Sequence, residues 1–187
     1  MGEASNLTNN FLIAMPALDD PNFSQTVTFM CDHNDEGAMG LVINRPLDLE
    51  FSEMLEHLKI VDTRTDSHYV PIYQGGPVQT ERGFVLHKDL GKWEATMAVT
   101  ADIGITMSQD IIEAIAHGEG PKDYLIVLGY ASWGAGQLES ELAKNAWLNG
   151  PASPDIIFDT PIEQRWTASA NILGVTLKNL SNDIGHA

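Results

Sequence analysis

Residues 124–128, Tyr-Leu-Ile-Val-Leu, are apolar at almost every position. A strand with one face in water alternates apolar and polar side chains, so an unbroken apolar run suits a central strand covered on both faces. A chain built around such a strand must supply cover for two sides of one sheet.

Short strand-like runs come first. Residues 11–15 form an apolar run closed by Pro16, residues 26–31 are β-branched and aromatic, and residues 39–43 follow the turn-rich His33-Asn-Asp-Glu-Gly37. The latter two runs are expected to pair as an antiparallel hairpin with a slightly long loop. Phe51, Met54, Leu55 and Leu58 fall at i, i+3, i+4 and i+7, the spacing of an amphipathic helix laid on a core. Residues 61–68 are polar and read as a loop. Further strands at 69–73, 83–87 and 94–100 are separated by Gly75-Gly-Pro77 and Asp89-Leu-Gly-Lys92. A helix capped at Thr106 or Ser108 runs to Gly118, with Ile111, Ile112, Ile115 and Ala116 as its apolar face.

After the central run, residues 129–136 read as a small-residue turn into a helix over 137–147, striped by Leu138, Leu142 and Ala146. A last helix starts at Thr160-Pro-Ile-Glu163 and passes through Trp166, Ala170 and Leu173. Strands precede helices without the regular alternation of a doubly wound parallel sheet, so the expected class is α+β. With no repeat and no long linker, residues 1–187 read as one domain whose first residues, 1–6, are loose.

Charge narrows the partners. The chain has 26 acidic residues against ten Lys and Arg, a formal charge of −16. A protein gripping duplex nucleic acid commonly neutralises roughly 6 to 10 phosphates, whereas these basic residues are scattered singly from Arg45 to Lys178. Direct nucleic-acid binding and docking on anionic lipid are both disfavoured, while a basic protein or a cationic ligand would be drawn in. No apolar run approaches the roughly 20 residues of a membrane span, and the N-terminus lacks a signal-peptide pattern. The expectation is a soluble cytoplasmic protein. Cys31, the single cysteine, lies in an apolar run and reads as a buried structural thiol.

Complete catalytic motifs are missing. The six histidines show neither HxH nor HExxH, so no metal site and no cofactor are expected. Ser132 follows an apolar strand, but Tyr130 stands where a nucleophile elbow needs glycine. Gly134-Ala-Gly136 lacks the third glycine of a dinucleotide fingerprint. Glu139 and Glu141, two apart on a helix, point in different directions and read as a solvated surface. The candidate binding residues lie instead at element ends. Asn44 and Arg45 close Gly37-Ala-Met-Gly-Leu-Val-Ile-Asn-Arg-Pro46, and His87 ends a strand. Ser108, Gln109, Asp110 and Gln137 sit at helix starts, whose free N–H groups favour anions.

Three readings of these residues stay open. One is a non-catalytic regulatory module binding a protein or a small molecule. Another is an enzyme whose site assembles from Asn44, Arg45, His87, Gln109, Asp110 and Gln137. The third is structural: Asn44 caps the strand, Arg45 pairs with an acid and Pro46 ends the ladder.

Several segments together carry a family signature: Phe11-Leu-Ile-Ala-Met-Pro16, Asp20-Pro-Asn-Phe23, residues 37–46, Gly75-Gly-Pro-Val78, Gly83-Phe-Val-Leu-His87, Ser108-Gln-Asp110, Gly129-Tyr-Ala-Ser-Trp-Gly-Ala-Gly-Gln-Leu-Glu139 and Asn145-Ala-Trp-Leu148. With these the chain resembles the YqgE/AlgH family of bacterial proteins over nearly its whole length. The resemblance implies an α+β fold with a bifurcated, mostly antiparallel sheet rolled into a pseudo-barrel with flanking helices. It carries over no catalytic residue. Some members bear the label of transcriptional regulator, which describes a phenotype and not a DNA-binding module.

Overall fold

The computed structural model describes residues 6–178 and 180. Of the N-terminal stretch expected to be loose, residues 1–5 lie outside those described. β1 (Asn10–Ala14) pairs with β2 (Val27–Asn34), which turns through Asp35 and Glu36 into β3 (Gly37–Val42). The hairpin is tighter than expected, because both strands continue until Asn34 faces Gly37. Then follow α1 (Phe51–His57), β4 (Ile72–Gln74), β5 (Val78–Lys88), β6 (Thr96–Ala98), β7 (Ile103–Thr106) and α2 (Gln109–Ala116). The chain finishes with β8 (Tyr124–Gly134), α3 (Gln137–Ala143), β9 (Trp147–Pro151), α4 (Pro154–Phe158) and α5 (Arg165–Ile172).

The strands join in the order β6-β7-β5-β8-β3-β2-β1-β9, with β4 added beside β8 as the one parallel pair. The fold is α+β, a curled and mostly antiparallel sheet flanked by helices. The fork in this sheet lies within β8. Its first half pairs with β5 on one side, from His87↔Tyr124 to Gly83↔Leu128, and with β4 on the other. Its second half leaves β4 and pairs with β3, from Gly40↔Ala131 to Gly37↔Gly134, while β5 keeps one further pair, Val78↔Tyr130, across a register shift.

The apolar run of β8 is covered on both faces, as its composition demands. Leu125 and Val127 enter a buried cluster with Phe11, Phe29, Phe84 and Leu86. Ile126 points the other way, into a cluster with Phe51, Leu55, Val85 and Ile115, where α1 and α2 form the cover. Beyond Gly129 the alternation is out of step. Tyr130 packs on the first cluster, while Ala131 and Trp133 enter a third with Leu12, Met30, Leu138 and Trp147. A slip of one residue exchanges the faces of a strand. Gly129 makes the slip with φ +76°, a conformation that costs a residue bearing Cβ roughly 1–2 kcal/mol.

Gly75 fills the gap where β3 and β8 part. Its N–H donates to the Leu128 carbonyl and its own carbonyl accepts from the Val42 N–H, each at 2.8 Å. On the far side α4 and α5 close the first cluster through Ile156, Ile157 and Ala170, and the Trp166 indole donates to the Ala14 carbonyl at 2.9 Å. Among the described residues no helix is long and apolar enough to cross a membrane.

Several elements differ from expectation. β8 runs to Gly134 where a turn was expected from residue 129, because the phase break at Gly129 disguises the second half of the strand. The helix expected over 137–147 stops at Ala143. Asn145 takes φ +59°, and Trp147 opens β9 against β1. Residues 67–69 make a 3-10 turn before the short β4, and the strand expected over 94–100 shrinks to 96–98. The last helix starts later than its Thr-Pro signal suggests, since a 3-10 turn over 162–164 precedes α5 and the Thr160 hydroxyl instead donates back to the Asp155 carbonyl in the first turn of α4.

Gly129→Ala is the sharpest test of the fork. A Cβ at this position would stand 2.6 Å from the Gly76 carbonyl oxygen, in a backbone region that only glycine enters freely. Unfolding in denaturant should show a loss of at least about 2 kcal/mol. A variant as stable as the parent would mean that β8 does not need its phase break.

Candidate functional site

Asn44 and Arg45 follow β3, where the sheet edge meets the loop over residues 19–26. The Asn44 side chain accepts from the Val27 N–H and donates to the Gln25 carbonyl, both at 2.9 Å, so its amide extends the β2–β3 ladder by one rung. Arg45 forms no ion pair with an acid of the described residues. Its guanidinium donates to the carbonyls of Pro21 at 2.6 Å and Ser24 at 2.9 Å, pinning the loop, while its own carbonyl accepts from the Gln74 N–H. Pro46 bridges to Tyr73.

Gln137 sits far along the chain at the start of α3. It accepts from the Gly134 N–H at 3.0 Å and donates to Glu141 at 3.2 Å. The two glutamates of this helix are not merely a solvated surface. Glu141 accepts from the indoles of Trp133 and Trp147, and Glu139 lies 2.6 Å from the buried His33. Because His33 Nδ1 accepts from the Leu7 N–H, its proton is on Nε2 and is donated to Glu139. Both acids therefore fasten α3 to the sheet. Cys31 is buried as expected, and burial pushes its thiol far up, away from the reactive thiolate.

His87 is fully buried, not at a rim. Its Nε2 lies 2.7 Å from the Thr106 hydroxyl, which is 2.7 Å from the Thr96 hydroxyl, and its Nδ1 faces the Asp89 carbonyl at 3.2 Å. Nδ1 therefore carries the proton, and Nε2 accepts from Thr106. Burial pushes the imidazole below its ordinary value, against the opposing pull of the Lys88 and Asp89 carbonyls. At the start of α2 the Ser108 hydroxyl accepts from the Ala95 N–H and donates to Asp110, whose carboxylate also accepts from the N–H groups of Glu94 and Ile111. Partial burial raises the Asp110 carboxyl, yet these hydrogen bonds together hold it below the usual range. An anion is thus already present at that helix terminus, and it belongs to the protein.

A cleft of about 720 Å³ opens between α1, the start of α2 and the first half of β5. Val85, Ile112, Ile126 and Leu128 give it an apolar floor. Met54, Leu58 and Met107 form lips, the last two 36% and 42% exposed. The polar groups on its walls are Glu53, His57, Thr80, Glu81, Ser108 and Gln109. Of the candidate residues, the structure brings Ser108 and Gln109 to this cleft, with Asp110 clamped beside them. His87 reaches it only through Thr106, which lines the wall. Asn44, Arg45 and Gln137 belong to other parts of the molecule, so the set considered for an enzyme does not line one pocket. Among the described residues, no three His, Cys, Asp or Glu side chains are grouped to hold a metal ion.

A family model described as AlgH-like matches residues 11–178. The chain belongs to the AlgH-like family. It is 56% identical over 179 residues to a UPF0301 protein of Nitrosococcus oceani, covering 96% of each chain. It is 54% identical over 187 residues to a UPF0301 protein of Thioalkalivibrio sulfidiphilus, covering the whole of both. The solution structure of the AlgH protein from Pseudomonas aeruginosa superimposes with a TM-score of 0.81 at 50% identity, over the full length of both chains. A crystal structure from Corynebacterium diphtheriae, 16% identical, shares the fold with a TM-score of 0.75 across 97% of this chain and 94% of its own.

In this AlgH-like chain the signature segments are largely joints of the fold. Gly75-Gly76 and Gly129 make the fork, Asn44-Arg45 clamps a loop, and Ser108 with Asp110 ties α2 to residues 94–95. The cleft wall was missed because its residues share the core stripe. Met54 and Leu58 carry the same helical spacing as Phe51 and Leu55, yet only the latter two are buried. Spacing alone could not show that the stripe is wider than the surface it covers.

Two measurements separate joint from site. Asn44→Ala leaves the Val27 N–H without its acceptor and should cost about 1–3 kcal/mol of unfolding free energy, whereas Gln109→Ala at the exposed cleft should stay within about 0.5 kcal/mol of the parent. Equal stability of all three proteins would return Asn44 to the list of binding candidates. For His87 the folded value is depressed, so the unfolded chain takes up the proton first. Its contribution is complete above the ordinary value of 6.5 and is lost as pH falls below it. The parent should therefore lose stability between about pH 7 and pH 5, and His87→Gln should lose less over that window.

Proposed function

We propose that this protein is a non-catalytic binding module whose cleft between α1, α2 and β5 takes a basic, amphipathic peptide segment of a partner protein. The observation that carries this reading is the lining of the cleft: an apolar floor, two methionines and a leucine at the lips, and Glu53 and Glu81 on the walls. Apolar side chains of the segment would meet the floor, and its basic residues would meet the two glutamates and the −16 field of the chain. Methionines suit this use, since an unbranched thioether repacks around varied partners at little cost. A regulatory role in the cytoplasm accords with such a module and rests on the same reading.

The test uses a synthetic helical peptide of leucine and lysine, labelled for fluorescence anisotropy. Leu58→Lys combined with Met107→Lys should weaken its binding at least ten-fold, about 1.4 kcal/mol, with an unchanged thermal midpoint because both side chains are already exposed. Asp35→Lys, at the tip of the β2–β3 hairpin, makes the same change of charge far along the sheet and should alter affinity by less than about two-fold. If the hairpin variant weakens binding as much as the cleft variant, the attraction is to the whole acidic molecule and the cleft is not a docking site.

A further inference from the structure

Arg165 opens α5 and is 4% exposed, yet no carboxylate of the described residues lies within ion-pair distance of its guanidinium. In a chain with 26 acidic residues this is a pointed omission. The group is held by neutral partners: Nε donates to the Thr160 carbonyl at 2.9 Å, and Nη1 donates to the Ile43 carbonyl at 2.6 Å and to the Tyr73 hydroxyl at 3.1 Å. The guanidinium also stands 5.3 Å from the centre of the Tyr73 ring. Its second terminal nitrogen, Nη2, has two N–H groups with no acceptor among the described residues.

This edge borders a second cleft, of about 570 Å³, which is also lined by Tyr73, Tyr124 and Arg64. The tyrosines there have donors to spare. Tyr73 accepts from Arg165, and Tyr124 accepts from Arg64 at 3.1 Å, so each hydroxyl keeps its own proton for another acceptor. Arg64 is already engaged by Asp66 through both carboxylate oxygens. The remaining walls mix apolar side chains, Phe158, Ile162 and Val70 among them, with the carboxylates of Asp66, Asp159 and Glu163.

We propose that this cleft binds the carboxylate group of a small, largely apolar organic acid, with Arg165 Nη2 and the hydroxyls of Tyr73 and Tyr124 as its donors. A buried cation lacking a counter-charge is relieved when an anion enters beside it, and two or three converging donors fix where that anion sits. With Nε and Nη1 already engaged, Nη2 gives the carboxylate single charge-assisted hydrogen bonds, and the tyrosine hydroxyls supply the others. Asp159 and Glu163 then select against dianions such as phosphate, which they repel more strongly than a single charge. Phe158 and Ile162 give the apolar body of the acid a surface to cover. The site is separate from the cleft between α1 and α2 and does not depend on the reading of that cleft.

Benzoate is a suitable probe for the intact chain, with benzyl alcohol as its uncharged counterpart and inorganic phosphate as the dianionic one. Titration followed by NMR of the arginine Nε–H and tyrosine ring signals should show saturable benzoate binding, with benzyl alcohol and phosphate each at least about ten-fold weaker. Tyr73→Phe and Tyr124→Phe remove one oxygen each and keep the ring, so both should fold and each should weaken benzoate roughly ten-fold. Thermal midpoints monitor the fold of both variants. Three results would overturn the proposal: equal binding of benzoate and benzyl alcohol, phosphate bound more tightly than benzoate, or both Phe variants binding benzoate as the parent does.

Discussion

The reversal of phase inside β8 is the constraint on which the rest of the molecule depends. A single strand feeds three buried clusters because Leu125 and Val127 face one way, Ile126 the other, and Ala131 and Trp133 swap sides after Gly129. Without that swap the second half of the strand would turn Trp133 toward the cluster that already holds Phe29 and Phe84, and α3 would lose its seat. The fork follows from the same event. Across it β4 gives way to β3 on one side, while on the other β5 follows only through a register shift between Val78 and Gly83. The break in pairing leaves N–H and C=O groups to be satisfied, and Gly75 meets both sides with two short hydrogen bonds.

The polar residues around this frame serve mainly to close loops onto it. Arg45 and Arg165 both spend their guanidinium donors on backbone carbonyls, although acids are abundant in the chain. A carbonyl in an irregular loop has no ladder partner, and a long side chain with several planar donors can reach two such groups at once. Glu141 does the converse job, accepting from two indole N–H groups that packing has buried. The Arg45 contacts and the Arg165–Ile43 contact join segments distant in sequence, and each of these polar residues resembles a functional site when only the residue type is known.

How much of this was legible varies with the range of the interaction. The α+β class, the central run, the β2–β3 hairpin and the apolar faces of α1 and α2 are local patterns, and periodicity exposes them directly. β9 and the second half of β8 were invisible because their pairing partners lie far away and their alternation is short or broken. For the candidate site, the sequence singled out Ser108 and Gln109 only as residues at a helix start, and it was the packing of α1 against β5 that put a cleft beside them. Arg165 was not singled out, since nothing near it in sequence marks it as buried, and the carbonyl it clamps at Ile43 is 122 residues away.

The sequence by itself determined the class of fold, the need for two covered faces, the joints at glycine and the family, because each rests on local chemistry or on a pattern of residue types. Only the tertiary structure decided which polar residues are spent and which are free. Whether Asn44 caps a ladder, whether Glu139 meets a histidine and whether a guanidinium has a counter-ion are matters of what arrives from elsewhere in the chain. Hydrogen bonds and charge pairs act over a few ångströms, and the distances between these groups are set by the packing of β8 with its neighbours.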